Sequence, residues 1–283
     1  MKTKHKTINI DGINIFYREA GEKHLPTILL LHGFPSSSHM YRELIELLAN
    51  HYHLIAPDYP GFGLSDTPSK DDYQYSFDTV TQTIEGFINT LQLSSFYVFM
   101  QDYGGPIGFR ITSKYPERIK GLIIQNANTY LEGLGEWAMK IGSYQKNNDP
   151  EGLHQYKNYL MSADGIKEQY LSGTNNPNNI DPISYLTDTA FITREGNNEI
   201  QTELFYNYGV NFSKYPEWQD YLQKHQPPTL IVWGENDKFF SKSGGEAYLN
   251  DLKNPSIHFF NSGHFMLEEF SKEVSELIIE FTK

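Results

Sequence analysis

The sequence predicts an α/β protein: a mostly parallel eight-stranded sheet with flanking helices, interrupted by a helical insertion. Three observations carry this expectation. Short apolar runs alternate with helix-like segments up to about residue 128 and again after residue 217, the pattern of parallel strands joined by crossover helices. Runs such as Thr27–Leu31 (Thr-Ile-Leu-Leu-Leu) are apolar throughout, as strands buried on both faces are. Between residues 129 and 216 the alternation stops, and amphipathic pieces are broken by polar loops such as Gly173-Thr174-Asn175-Asn176-Pro177. The expected organisation is a core formed by 1–128 and 217–283, with a helical cap over 129–216.

The elements follow in order. Lys6–Ile10 and Ile13–Ala20 are two strands turning at Asp11-Gly12, a hairpin signal. Thr27–Leu31 is a buried strand ending in His32-Gly33-Phe34-Pro35. A helix is expected from Met40 to Leu48, then a strand over His53–Ala56 and the loop Asp58–Asp66. A helix spans about Ser76 to Leu91. The next strand starts at Phe96 and stops at Asp102, and a helix-like segment runs from Ile107 to Tyr115. Pro116 ends it. Ile119–Gln125, Thr229–Trp233 and Ser256–Phe260 are the remaining strands, and Phe265 to Phe281 is the closing helix.

Composition narrows the function. The chain has 283 residues, of which 39% are hydrophobic, enough for a substantial core. A net charge of −12 argues against nucleic acid and anionic membrane surfaces as partners. The absence of cysteine excludes disulfides, thiolate nucleophiles and cysteine-based metal sites. Met1 to Ile10 lacks the apolar stretch of a signal peptide, and no apolar run approaches the ~20 residues of a membrane span. A soluble, cytoplasmic protein acting on a small molecule is expected, monomeric or homodimeric. His51 and His53 have no third ligand nearby, so no metal is expected. Gly61-Phe62-Gly63 lacks the third glycine of a dinucleotide fingerprint, so no cofactor is expected either.

Functional residues of open parallel sheets gather at the carboxyl ends of strands. Here those ends carry His32–Phe34, Asp102–Tyr103, Asn126–Asn128, Asp237 and His264. Asp102 alone is equally suited to capping the next helix. With Asp237 and His264 at later strand ends it completes the chain order nucleophile, acid, histidine. Gly104 and Gly105 permit a tight reversal and close helix–strand packing. Met100 departs from the glycine expected two residues before a nucleophile.

The chain resembles the α/β-hydrolase superfamily over nearly its whole length. Within it, the chain is similar to the branch with aspartate nucleophiles, the epoxide hydrolases and haloalkane dehalogenases. The motifs are His32-Gly33-Phe34-Pro35, Asp58-Tyr59-Pro60-Gly61-Phe62-Gly63-Leu64-Ser65, Gln101-Asp102-Tyr103-Gly104-Gly105, Gly234-Glu235-Asn236-Asp237 and Gly263-His264. The resemblance implies that Asp102 attacks a saturated carbon to form an ester. His264 then activates water, Asp237 orients His264, and the Phe34 and Tyr103 amides form the oxyanion hole. Dehalogenases of this branch bind halide through a Trp after the nucleophile or an Asn after the His-Gly pair, where this chain has Tyr103 and Phe34. Epoxide hydrolases use cap tyrosines toward the opening oxygen, and a phenol is a neutral donor at pH 7. Tyr206 fits that position best, then Tyr208. Tyr170, Tyr144 and Tyr130 are candidates for the second phenol, and His32 is a further substrate-site candidate. Epoxide hydrolysis is therefore the leading expectation and haloalkane dehalogenation the alternative. An esterase, a cofactor-free oxygenase or a non-catalytic binding protein on the same scaffold are more remote.

Overall fold

A computed structural model describes residues 2–283. Eight strands form one sheet: β1 Lys4–Ile10, β2 Ile13–Ala20, β3 Thr27–Leu31, β4 His53–Pro57, β5 Phe96–Gln101, β6 Ile119–Gln125, β7 Thr229–Gly234 and β8 Ser256–Phe260. Their order across the sheet is β1-β2-β4-β3-β5-β6-β7-β8. β1 and β2 pair antiparallel around Asp11 and Gly12, both at positive φ, and β2 also runs antiparallel to β4. Every later pair is parallel. The central strands are apolar because helices cover both faces. Leu29, Leu30 and Leu31 have no exposed surface, and burying each such side chain favours the fold by roughly 1.5–3 kcal/mol.

Helices α1 Arg42–Leu48, α2 Phe77–Thr90 and α3 Gly104–Lys114 cross between the early strands. The Ser76 side chain caps α2 by accepting from the Thr79 amide. Six helices lie between β6 and β7: α4 Glu136–Lys146, α5 Pro150–Leu160, α6 Ala163–Leu171, α7 Pro182–Ile192, α8 Asn197–Asn207 and α9 Tyr215–His225. The last of them packs on the sheet-flanking helices, with Trp218 stacked on Phe109 of α3 at 5.6 Å. Helices α10 Lys242–Ala247 and α11 Leu267–Phe281 complete the chain. Among the described residues no helix is long and apolar enough to cross a membrane.

After β3 the chain moves outward to β4, then returns to the other side of β3 to form β5. The strand order therefore reverses between β3 and β5, and the loops leaving these two strands part to open a crevice at their carboxyl ends. The β3 loop carries Phe34 and the β5 loop carries Asp102.

Candidate active site

Asp102 follows β5 directly and has φ 48°, a left-handed conformation that projects its side chain away from the turn. Helix α3 begins at Gly104, so both glycines lie within the helix and the strained residue is Asp102 itself. The glycines let the helix approach the sheet. A Cβ on Gly104 would fall 2.1 Å from the Leu31 carbonyl oxygen, and one on Gly105 3.0 Å from the Ala127 Cβ. The large Met100 is accommodated in the same way. It is fully buried, and its terminal methyl lies 3.1 Å from where a Cβ would stand on Gly108 of α3. The missing bulk on the helix makes room for the bulk on the strand.

The Asp102 carboxyl is 6% exposed. The Phe34 amide donates to Oδ1 at 2.7 Å, and the Tyr103 amide also bonds the carboxylate. Oδ2 faces His264, whose Nε2 is 3.9 Å away, too far for a direct hydrogen bond. His264 Nδ1 lies 2.8 Å from Asp237 Oδ2. Asp237 is itself fixed by the Asn126 side chain, which donates to Oδ2 at 2.8 Å, and by the Phe239 amide, which donates to Oδ1 at 2.7 Å. A buried carboxylate with this many donors is held rigidly.

Burial pushes the Asp102 pKa up to about 6. His264 and the Phe34 and Tyr103 amides pull it back down, and Asp237 adds to the rise. Asp102 is therefore mainly ionised at neutral pH. Burial disfavours a charged His264 ring, but Asp237, through charge and hydrogen bond, and then Asp102 outweigh it, and the ring's pKa lies above its ordinary value. Once Asp102 becomes a neutral ester, its share of that rise disappears, and His264 becomes easier to use as a neutral base.

A cavity of about 470 Å³ opens onto Asp102. Its walls near the carboxyl are Phe34, Tyr103, Tyr208, Phe239 and Phe240, and its outer wall is α4. Tyr208 is partly buried, its hydroxyl out of solvent, and it stacks on Tyr103, with ring centroids 5.7 Å apart and planes 28° apart. Burial raises both phenols well above 10, with the Asp102 charge adding to each, so both remain protonated donors. Tyr206 also lines the cavity but is 45% exposed.

The other sequence candidates lie elsewhere. Tyr170 is buried outside the cavity lining, stacked on Phe265 at 3.9 Å and donating to Asp188. Tyr130 donates to Asp251 at 2.6 Å, and Tyr144 borders a separate groove on the far side of α4. His32 is fully buried and stacked on Tyr59 at 4.0 Å. Its Nε2 accepts from the Tyr59 amide at 3.3 Å, and burial lowers its pKa to about 3. It braces the two loops as a neutral ring and does not line the cavity.

The alpha/beta hydrolase fold family matches residues 26–271. The chain belongs to this family. It is 42% identical to an uncharacterized hydrolase of Saccharomyces cerevisiae over 97% of this chain and 95% of that protein. It is 25% identical to epoxide hydrolase 3 of Xenopus tropicalis over 96% of this chain and 75% of that protein. Its fold superposes on the haloalkane dehalogenase DbeA of Bradyrhizobium elkani with a TM-score of 0.81, at 19% identity, covering 99% and 98% of the two chains. By this kinship the chain is an α/β-fold hydrolase, an enzyme.

Sequence reasoning passed over two residues of the hydrolase's site. Asn126 was legible as a strand-end residue, but its bond to Asp237 was not. Asp188 of α7 carried no signal, because a lone aspartate in an amphipathic helix resembles a surface charge. It is fully buried, and it accepts from Ser36, two residues past Phe34, at 3.3 Å and from Tyr170. It thus links the β3 loop to Phe265, the neighbour of His264.

Burial raises the Asp188 pKa to about 8, against the lowering effect of its bonds to Tyr170 and Ser36. An unfolded aspartate titrates near ~3.9, so between that pH and about 8 the folded chain binds more protons than the unfolded one. This group's contribution to stability is full at low pH and is lost as pH rises through the window. The melting temperature of the wild type should fall relative to Asp188→Asn between pH 5 and pH 8, by roughly 2–4 °C for each kcal/mol of linkage. Parallel melting curves at the two pH values would show that Asp188 does not titrate in this way.

Proposed function

We propose that this hydrolase opens small apolar epoxides to diols through a covalent ester on Asp102. The observation that carries the reading is the Asp102 carboxyl itself: one oxygen is held by the Phe34 amide, the other is free toward an aromatic cavity, and two stacked phenols line that cavity. Oδ2 attacks an epoxide carbon and the C–O bond breaks. The ring oxygen takes a hydrogen bond or proton from the Tyr103–Tyr208 pair. Tyr208, stacked on Tyr103 with its hydroxyl out of solvent, suits this role better than the half-exposed Tyr206.

In the second step water adds to the Asp102 carbonyl carbon and its proton goes to His264 Nε2. The developing oxyanion stays on Oδ1, the atom bonded by the Phe34 amide, with the Tyr103 amide beside the carboxyl. The bond between the carbonyl carbon and Oδ2 then breaks, and the departing alkoxide recovers the proton. The product keeps Oδ2, Asp102 gains an oxygen from water, and the second proton of that water, released as Asp102 ionises, restores a phenol that gave up its own. Asp237 holds the imidazole with Nδ1 protonated and stabilises its charge.

Haloalkane dehalogenation would use the same two steps and a different leaving group. It is the second reading, because the positions that carry halide donors in the dehalogenases this chain resembles hold Phe34 and Tyr103.

One turnover in ¹⁸O-labelled water tests the mechanism. With enzyme in excess over a small aryl epoxide, the Asp102 peptide should gain two mass units and the diol should carry no label. Label in the diol and none in Asp102 would mean direct attack by water and end the covalent reading. An unreacted epoxide beside a haloalkane turned over to alcohol and halide would favour the second reading.

A further inference from the structure

Gln101, the last residue of β5, has no exposed surface, and its side chain reaches the one atom of His264 that must change protonation. Its Nε2 lies 2.9 Å from His264 Nε2, while its Oε1 is buried with no hydrogen-bond partner. Gly33 leaves the room it occupies, since a Cβ there would stand 2.2 Å from Oε1. The other ring nitrogen is committed to Asp237, and Phe239, Phe240 and Phe265 enclose the ring.

A buried amide with one end satisfied and the other orphaned is costly unless the orphaned end is used at another stage. We propose that Gln101 is a positioning residue that serves both protonation states of His264. Resting on the covalent reading above, its role divides between the two steps. In the free enzyme the amide N–H occupies the Nε2 lone pair. This contact favours the neutral imidazole against the pull of the two carboxylates and holds the ring off Asp102 Oδ2, so the carboxylate stays unpaired and nucleophilic. During ester hydrolysis water takes over the lone pair and passes its proton to Nε2. Turned over about its last side-chain bond, the amide then presents Oε1 to the new Nε2–H. The freed alkoxide removes that proton, and the amide returns. The charged and titratable groups facing the ring are Asp237 and Asp102, and Gln101 supplies the neutral partner between them.

The test separates the two steps in single turnovers with a small aryl epoxide, following ester formation and decay by intact-protein mass. Gln101→Met keeps the length and removes both hydrogen-bonding ends. At pH 9, where the neutral ring is favoured by pH itself, it should alkylate at close to the wild-type rate and hydrolyse the ester at least tenfold more slowly, a general-base contribution of the usual order. At pH 6 its alkylation should also fall. Gln101→Glu offers an acceptor and no donor. It should hold Nε2 protonated, so hydrolysis recovers only as pH rises, with its midpoint displaced upward by more than one unit. A side chain that merely fills space would slow both steps alike in Gln101→Met and displace no midpoint in Gln101→Glu, and that result would overturn the proposal. Wild-type hydrolysis rates in both variants would overturn it too. If the wild type places no ¹⁸O in Asp102, the covalent reading itself has failed; label in Asp102 with unaffected variants rejects the role of Gln101 alone.

Discussion

The His264→Gln protein, incubated with a small epoxide, should gain the full mass of that epoxide and retain it. Alkylation needs only an ionised Asp102; losing His264 removes an effect that lowers the Asp102 pKa, so the adduct should form faster as pH rises above neutral. Hydrolysis needs a base within reach of water beside the ester, and no other side chain there can serve: the phenols stay protonated, Asp237 is sealed behind the ring by Asn126 and Phe239, and His32 faces Tyr59. Loss of general-base catalysis slows such a step by about 10²–10⁴-fold. The ester should therefore persist for hours where the wild type turns over repeatedly. The adduct also identifies the electrophile, since a haloalkane leaves only its alkyl group while an epoxide leaves every atom. An adduct on Asp102 that decays as fast as wild-type turnover would remove His264 from the base role. Glutamine is the suitable replacement because it is close to imidazole in size and brings no base. Its contact with Gln101 and Asp237 can persist through the amide.

How much of this was legible in the sequence differs between core and site. The strands were readable because their position in the sheet imposes apolar runs, and their ends were marked by Asp-Gly, His-Gly and Gly-His punctuation. The candidate triad was legible as three strand-end residues in the order Asp102, Asp237, His264, and these side chains do lie together. What lay beyond the sequence was contact between distant helices. Tyr206 and Tyr208 are two residues apart at the end of α8, so they leave the helix in different directions. Only the packing of α8 decides that Tyr208 turns inward, onto Tyr103, and Tyr206 outward. Tyr170 illustrates the same limit. The resemblance made it a candidate for the second phenol, yet α6 points it at Phe265 and Asp188. Met100 was opaque because its explanation is a glycine eight residues later in a neighbouring helix.

Tyr103→Phe combined with Tyr208→Phe should discriminate between leaving groups more sharply than any other change. An epoxide oxygen departs as an alkoxide, which is strongly basic and needs a donor as the C–O bond stretches. A halide departs as a stable anion and needs no proton. The two phenols line the cavity that opens onto Asp102, and their raised pKa values keep them protonated across the working pH range. Replacing both removes the hydroxyls while keeping the stacked rings that shape the cavity wall. Loss of a preorganised donor to a developing oxyanion costs about 10²–10³-fold, so alkylation by epoxide should fall by at least that factor. Measured in the His264→Gln background, where the ester accumulates, the rate reports the first step alone. Alkylation by any haloalkane the enzyme accepts should change far less, and Tyr206→Phe should leave the epoxide rate almost untouched because that phenol is half in solvent. The loss should be the same at pH 6 and pH 9, since neither phenol titrates between them. An epoxide rate that survives the double replacement would mean that the opening oxygen is served by another donor, and the cavity would then have to be turned around Asp102, with the departing atom toward α4 rather than toward the phenols.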